Sequence, residues 1–129
     1  MPEVAAVFDS SAIIALFRAE PGAAKAASFL SGGAVSSVNL AELRSKISDW
    51  AVPEMRLREF IRALDLSVIP FAEELAYVAG RLREATRPFG FSLGDRACIA
   101  TAMGYRVPAV SADRSWTRAA LDVEIVLIR

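Results

Sequence analysis

The feature that most constrains the fold of this 129-residue chain is the alternation of short apolar segments with longer helical ones. A short run of β-branched and aromatic residues is typical of a strand buried on both faces, as in a parallel sheet covered by helices. Strands that alternate with helices predict an α/β fold with a mainly parallel sheet and right-handed crossovers. Five segments have this strand character: residues 4–8, 34–36, 67–69, 107–111 and 124–128.

Helical segments separate these strands along the whole chain. Residues 57–64 and 75–82 show the i, i+3, i+4, i+7 spacing of an amphipathic helix, and the second helix is expected to run to about Arg87. A largely apolar helix is expected from Ser92 through Ala102, with Gly104 ending it. Because no linker or repeat interrupts the pattern, a single domain over residues 1–129 is predicted. The remaining helices are expected at residues 10–17, 22–30, 39–50 and 114–120, with a loop at 88–91.

The residue types that are missing exclude several kinds of chemistry. The chain has no His and a single Cys, Cys98, which removes Ser-His-Asp and Cys-His catalysis and any Cys-rich zinc site. Cys98 lies in an apolar stretch and is predicted to be a packed core thiol. Lys+Arg and Asp+Glu are both 15, so no overall charge attracts a polyanion. Catalysis, if present, must therefore rest on carboxylates.

The hydropathy of the chain bears on its partners and its location. Hydrophobic residues make up 54% of the chain and mean hydropathy is +0.37, which predicts apolar surface covered by an oligomeric contact or a protein partner. The apolar stretches are too short to span a bilayer, and the first residues have no basic region of the kind found in signal peptides. A cytoplasmic protein without a membrane segment is expected.

Four acids occupy positions near the edge of the predicted sheet where ligands usually bind. Asp9 follows the first strand, Glu42 lies in the helix after the second, Asp95 begins the helix before the fourth, and Asp113 follows the fourth. Ligands of open α/β sheets bind outside the carboxyl ends of the strands. Each acid also has an ordinary structural explanation: the three Asp residues can cap helices, and Glu42 can form a surface ion pair with Lys46.

Convergence of the four acids would require a counter-charge or bound protons. Two unit charges about 4 Å apart repel by roughly 4 kcal/mol at an effective dielectric of 20. Several such pairs would rival the roughly 5 to 15 kcal/mol that stabilises a whole domain. Because the set contains only oxygen ligands, Mg²⁺ or Mn²⁺ suits it better than zinc.

Four segments closely resemble the PIN-domain ribonuclease toxins of VapBC toxin–antitoxin modules. The most specific are Ser-Leu-Gly-Asp at residues 92–95 and Ala-Asp-Arg-x-Trp at 112–116. The resemblance implies a three-layer α/β/α fold whose central, mainly parallel five-stranded sheet has strand order 3-2-1-4-5. It also implies a Mg²⁺- or Mn²⁺-dependent endoribonuclease, a homodimer, and inhibition by a cognate VapB-like antitoxin. The matching segments are residues 7–12, 39–42, 92–98 and 110–116.

The resemblance also assigns roles to individual residues. Asp9, Asp95 and Asp113 would hold the metal, and Glu42 would be a direct ligand, a ligand through water, or a group that positions the attacking water. Ser11 and Ser111 would supply hydroxyls that orient these carboxylates, and Ser111 stands where many relatives have Thr. Attack by water on the phosphodiester would leave 5′-phosphate and 3′-hydroxyl ends.

The basic and aromatic residues near these acids allow two interpretations each. Arg96 and Arg114 directly follow site acids and could contact RNA phosphates, or they could be solvated and balance the acids. Trp50 and Trp116 could stack on bases, but packing is favoured. The apolar face at 57–64 could belong to the core or to the antitoxin groove.

Two functions of other classes compete with the nuclease. A PIN-like module could bind protein or RNA without catalysis, although its four acids would then have no catalytic role. A phosphotransfer protein is disfavoured because Ser11 stands where Asp-x-Asp phosphatases need the second Asp, and because receiver-like sites need a Lys late in the sheet. The chain also lacks a P-loop and a Gly-x-Gly-x-x-Gly fingerprint.

Overall fold

The fold is built on a central sheet of five parallel strands. The structure is a computed structural model that describes residues 3–129. The strand order is β3-β2-β1-β4-β5, so the predicted order 3-2-1-4-5 is confirmed. The first, fourth and fifth strands are each two residues shorter than predicted, the third has the predicted bounds, and the second begins one residue earlier than predicted. They span Ala6–Phe8 (β1), Gly33–Ser36 (β2), Ser67–Ile69 (β3), Ala109–Ser111 (β4) and Ile125–Leu127 (β5).

The first strand occupies the middle of this sheet. Phe8 lies beside Val35 of β2 and Val110 of β4, and the backbone N–H of Asp9 donates to the Val110 carbonyl at 3.0 Å. All three residues of β1 are buried, as expected for a central strand covered on both faces. The residue that follows β1 is therefore flanked by the ends of both neighbouring strands.

Helices cover both faces of the sheet and give the predicted three-layer architecture. Successive strand residues point to opposite faces. Phe8 accordingly packs in a core cluster with Ile13 and Leu43, whereas Val7 packs in a second cluster with Cys98 and Trp116. The predictions that Cys98 and Trp116 pack in the interior are thereby confirmed, since both are fully buried.

The helices agree with the predicted segments except at several ends. Gly104 does not end its helix, which continues to Tyr105 and is closed by Arg106 in a left-handed conformation (φ 56°). The helix expected to reach Arg87 breaks into two pieces. The α-helices are Ser10–Arg18 (α1), Ala23–Ala27 (α2), Ser37–Asp49 (α3), Glu54–Ala63 (α4), Glu73–Arg81 (α5), Arg83–Thr86 (α6) and Leu93–Tyr105 (α7), with 3₁₀ turns at Arg87–Phe89 and Arg114–Arg118.

The 3₁₀ turns correct two further predictions, because the expected loop at 88–91 begins as a 3₁₀ turn and the expected helix at 114–120 is a 3₁₀ turn. Within residues 3–129, no helix is both long enough and apolar enough to cross a membrane.

Candidate active site

Asp9 lies at the carboxyl end of β1 and begins α1 as its N-cap. Its Oδ1 accepts hydrogen bonds from the Ala12 backbone N–H at 2.9 Å and from the Ser11 hydroxyl at 2.7 Å. Its Oδ2 accepts from the Ser111 hydroxyl at 2.7 Å. Capping therefore explains part of its environment, but two further donors hold the same carboxylate in the interior, where only 4% of the residue is exposed.

Burial raises the pKa of Asp9 from its ordinary value of 3.8 to about 6. The hydrogen bonds from Ser11, Ala12 and Ser111 favour the charged form and lower the pKa, but they do not overcome the loss of solvent. The negative charge of Asp95 raises it further. The protein thus holds this carboxylate where burial destabilises its charged form, and perturbed pKa values of this kind are common at functional sites.

The two serines next to Asp9 connect it to the loop that carries Asp113. The Ser111 hydroxyl accepts from the Asp113 backbone N–H at 3.0 Å while it donates to Asp9. The Ser11 hydroxyl accepts from the Ala112 N–H at 2.9 Å while it also donates to Asp9. These bonds join the ends of β1 and β4, which are neighbours in the sheet.

Asp113 itself is exposed and caps the 3₁₀ turn that follows it. Its Oδ1 accepts from the backbone N–H and the hydroxyl of Ser115, at 2.9 and 2.7 Å.

Asp95 begins α7 in a capping box with Ser92. The Ser92 N–H donates to Asp95 Oδ2 at 2.9 Å, and the Asp95 N–H donates to the Ser92 hydroxyl at 3.1 Å. Burial raises the pKa of Asp95, the two contacts with Ser92 lower it, and the charges of Asp113 and Glu42 raise it again. Because Asp95 also acts on Asp9, it interacts electrostatically with all three other acids.

The same acids also affect the pKa of the buried Cys98 thiol. Burial raises its pKa well above the ordinary value, and the charges of Asp9, Asp95 and Glu42 raise it further. The thiol is fully buried, and its nearest polar contact is the Val7 carbonyl, 3.9 Å from the sulfur. It is an inert neighbour of the acids, since a buried thiol in an acidic environment does not form a thiolate readily.

Glu42 reaches the site from α3. Its Oε1 accepts from the Ser10 hydroxyl at 3.1 Å and from the Asn39 side-chain amide at 2.8 Å. The carboxylate also lies against the backbone of Gly94, where a Cβ atom would overlap with Oε2. The alternative interpretation of Glu42 is wrong, because no ion pair with Lys46 forms in the part of the chain that the structure describes.

Three residues at this site received no role from the sequence: Ser10, Asn39 and Gly94. Asn39 offered a signal, because it precedes Glu42 by about one helical turn on the face of α3 that also buries Leu43. An Asn on an apolar helix face needs partners, and its partners are at the site.

The two Arg residues that follow site acids have different environments. Arg96 is half-buried and donates from Nη1 to the Ala79 carbonyl at 2.9 Å, which ties α7 to α5. Arg114 is exposed and donates from Nε to the Arg129 carbonyl at 3.2 Å. Neither neutralises a site acid: the ion pairs among residues 3–129 are Arg44–Glu54, Arg58–Glu54 and Arg129–Glu20.

The donor set of this site fits a hard divalent cation in its chemistry. It consists of carboxylates without a paired cation, two of which have raised pKa values. Each carboxylate is turned toward its own hydrogen-bond donors, and within the described residues no three side chains of Asp, Glu or Cys form a ready-made metal site. Metal binding would therefore exchange some of these local hydrogen bonds for ligand bonds.

Comparison with known proteins gives one family and a consistent fold. A family model described as the PIN domain matches residues 6–121. No curated protein matches the chain.

Several solved structures share this fold over nearly their whole length. A chain in a toxin-antitoxin complex from Klebsiella pneumoniae is 22% identical, with a TM-score of 0.75 and coverage of 97% of this chain and 98% of that chain. The DNA-bound VapBC from Salmonella typhimurium gives a TM-score of 0.74 at 19% identity, covering 98% and 99%. VapBC2 from Rickettsia felis, bound to a DNA fragment from its promoter, gives 0.73 at 17%, covering 95% and 97%.

Proposed function

Because the chain belongs to the PIN domain family, a family of nucleases, we propose that it is a divalent-metal-dependent endoribonuclease and the toxin of a type II toxin–antitoxin module in the cytoplasm. One observation carries the proposal: Ser111 joins Asp9 to the backbone of Asp113, Glu42 lies against Gly94 beside Asp95, and no basic side chain among residues 3–129 forms an ion pair with any of the four acids. Such a set needs a cation, and phosphodiester cleavage is a reaction that uses one.

In this proposal Asp9, Asp95 and Asp113 hold Mg²⁺ or Mn²⁺. Glu42 is a direct ligand, a ligand through water, or the group that orients the attacking water. When bound, the ion supplies water of lowered pKa and neutralises charge on the scissile phosphate. The family of the chain and the carboxylate-only donor set both support this assignment.

The other side chains of the site orient these groups. The Ser11 and Ser111 hydroxyls fix both oxygens of Asp9, so that its charged form is available near neutral pH despite burial. With no His in the chain, a carboxylate such as Glu42 accepts the proton of the attacking water. Arg114, exposed beside Asp113, contacts an RNA phosphate, and Arg96 is the second candidate for such a contact.

A VapB-like antitoxin is the proposed protein partner. A groove of about 580 Å³ lies between α3 and α4, and its lining includes the apolar side chains of Leu40, Leu57 and Ile61 with Arg44 and Arg58 at its side. An amphipathic helix fits a groove of this composition. The solved structures with this fold include toxin-antitoxin complexes, in agreement with such a partner.

A homodimer is also proposed, because large apolar side chains are exposed on α5 and α7. Tyr77, Leu93 and Tyr105 are 58%, 52% and 46% exposed. Light scattering of the purified protein is expected to give twice the mass of one chain.

The nuclease proposal is tested on purified protein that is free of antitoxin. The purified protein is expected to cleave RNA when Mg²⁺ or Mn²⁺ is added, and cleavage should stop when a chelator is present. Expression of the wild-type chain should arrest growth. Co-expression of a short neighbouring gene that encodes a DNA-binding amino terminus should relieve the arrest. The Asp9→Asn variant should fold but should not arrest growth.

A second candidate, a PIN-like binding module without catalysis, has its own supporting observation. Every one of the four carboxylates already accepts local hydrogen bonds, and no ready-made metal group exists within residues 3–129. The same experiment separates the two functions. Antitoxin-free protein that binds RNA but cleaves none of it under any divalent ion supports the binding module and overturns the nuclease.

A further inference from the structure

We infer that Asn39 is a positioning residue that holds Glu42 against the start of α7, an inference that rests on the proposed nuclease function. The Asn39 amide nitrogen donates to Glu42 Oε1 at 2.8 Å and to the Gly94 carbonyl at 3.1 Å. One side chain thus joins an acid of α3 to the first turn of α7, which carries Asp95. Only 1% of Asn39 is exposed, so water does not compete for either bond.

The orientation of this amide is determined by its two acceptors. The reverse orientation would place the amide oxygen of Asn39 against the carboxylate of Glu42 and the carbonyl of Gly94, and both contacts would repel. In the observed orientation both N–H groups are used, and the buried oxygen has no partner among the described residues. An unpaired buried acceptor destabilises a protein, so packing alone does not explain an Asn here.

The absence of a side chain at Gly94 also helps to position the Glu42 carboxylate. A Cβ at this position would overlap with both carboxylate oxygens of Glu42. The backbone of Gly94 is not in a left-handed conformation, so close approach rather than backbone freedom explains the glycine. The carboxylate of Glu42 is therefore confined between Gly94, Asn39 and the Ser10 hydroxyl.

Loss of the Asn39 donors is expected to release the Glu42 carboxylate while the backbone stays in place. Asn39→Leu removes both donors at similar volume, and it should lower kcat for RNA cleavage by about 10- to 100-fold, the usual effect of losing an outer hydrogen-bond partner of a metal site. The KM for RNA should not change, because Asn39 is buried and does not reach the substrate.

The double variant with Glu42→Ala distinguishes positioning from a general structural role. If Asn39 acts through Glu42, Asn39→Leu should reduce kcat no further once Glu42 is replaced. A further reduction of the same size in the Glu42→Ala background would overturn the inference. Glu84→Ala, an exposed replacement on α6, is the matched control and should leave both values unchanged.

A spectroscopic measurement decides the inference without any activity and without changing Asn39. Asn39 is the only Asn in the chain and there is no Gln, so the single side-chain amide pair in a ¹⁵N–¹H correlation spectrum belongs to it. In metal-free protein this pair should exchange slowly with solvent, and it should shift in Glu42→Ala but not in Glu84→Ala.

Rapid exchange of this pair, or no response to Glu42→Ala, would overturn the inference even if Asn39→Leu fails to fold. If the wild-type protein cleaves no RNA, the proposed function fails by itself, and the amide spectrum alone then decides whether Asn39 holds Glu42.

Discussion

The hydroxyl of Ser111 donates a 2.7 Å hydrogen bond to Oδ2 of Asp9, a residue 102 positions away in the chain. The bond is possible because β1 and β4 are adjacent parallel strands whose carboxyl ends lie side by side. The same hydroxyl accepts from the backbone N–H of Asp113. Ser111 therefore fixes one acid directly and the backbone of a second.

Replacement of Ser111 by Ala tests that connection. The variant leaves the Asp113 N–H without its acceptor and removes one donor from a buried carboxylate. We expect it to lower the free energy of unfolding by about 1–3 kcal/mol. It should weaken Mn²⁺ binding and RNA cleavage by about 10- to 100-fold. Urea denaturation and calorimetric titration with Mn²⁺ measure the two effects.

The control for Ser111→Ala is Ser28→Ala, which removes a hydroxyl that is exposed and bonded only to the Lys25 carbonyl. It should be close to wild type in both measurements. Wild-type Mn²⁺ affinity in Ser111→Ala would contradict the role given to this hydroxyl.

Replacement of Asp9 by Asn should abolish cleavage and yet stabilise the metal-free protein. The folded pKa of about 6 lies above the ordinary value of 3.8, so near neutral pH the buried charge costs free energy that Asn does not incur. A difference of about two pH units corresponds to a gain of about 3 kcal/mol. Urea denaturation in the presence of a chelator measures it, and a variant markedly less stable than wild type would contradict this expectation.

The stability of the wild-type protein should depend on pH through the same group. Because the folded state binds the Asp9 proton more tightly than the unfolded state, the contribution of Asp9 is most favourable below about pH 4 and falls as pH rises to about 6. The raised pKa of Asp95 acts in the same direction. The lowered pKa of Glu54 acts in the opposite direction, since it favours the folded state at higher pH.

The pH dependence is therefore best measured as a difference between two proteins. In chelator, the stability of Asp9→Asn relative to wild type should increase between about pH 4 and pH 6 and remain constant above that range. A difference that does not change with pH would show that Asp9 titrates normally in the folded protein.

Two glycines of α7 provide a matched pair of substitutions. Gly94→Ala would push the Glu42 carboxylate, which is the end of a flexible side chain, so we expect little loss of stability but a loss of cleavage of about 10-fold or more. In Gly104→Ala the new Cβ meets only Leu75, at 3.5 Å, and activity should be unchanged. Both variants gain helix propensity, roughly 1 kcal/mol for each replaced Gly. Equal activity of the two variants would contradict the role of Gly94.

The sequence predicts more of the sheet than of the contacts between helices. The run ending in Asp9 identifies the first strand because burial on both faces leaves a continuous apolar pattern. Gly104 was wrongly expected to end α7, since Arg106 takes the left-handed conformation in its place. The backbone N–H of Arg106 donates to the Ala102 and Met103 carbonyls, so the left-handed cap falls two residues after the glycine.

The three Asp residues were predicted either as caps or as members of an acid cluster, and all three do cap a helix or a turn. Asp95 completes a capping box, and it also interacts electrostatically with the other three acids. A cap is local and can be predicted from spacing. The contact of Asn39 with Gly94 spans 55 residues and depends on how α3 packs against α7, so spacing along the chain cannot predict it.

Hydrolysis by water at a site of four carboxylates determines which ends cleavage leaves on the RNA, so the decisive measurement is an analysis of those ends. Antitoxin-free protein is incubated with RNA in Mn²⁺, and the fresh products are analysed beside those of Asp95→Asn. The proposed hydrolysis predicts 5′-phosphate and 3′-hydroxyl ends from the wild type, no cleavage in chelator and none by the variant. Products with 2′,3′-cyclic phosphate ends, or cleavage that persists in chelator, would contradict it.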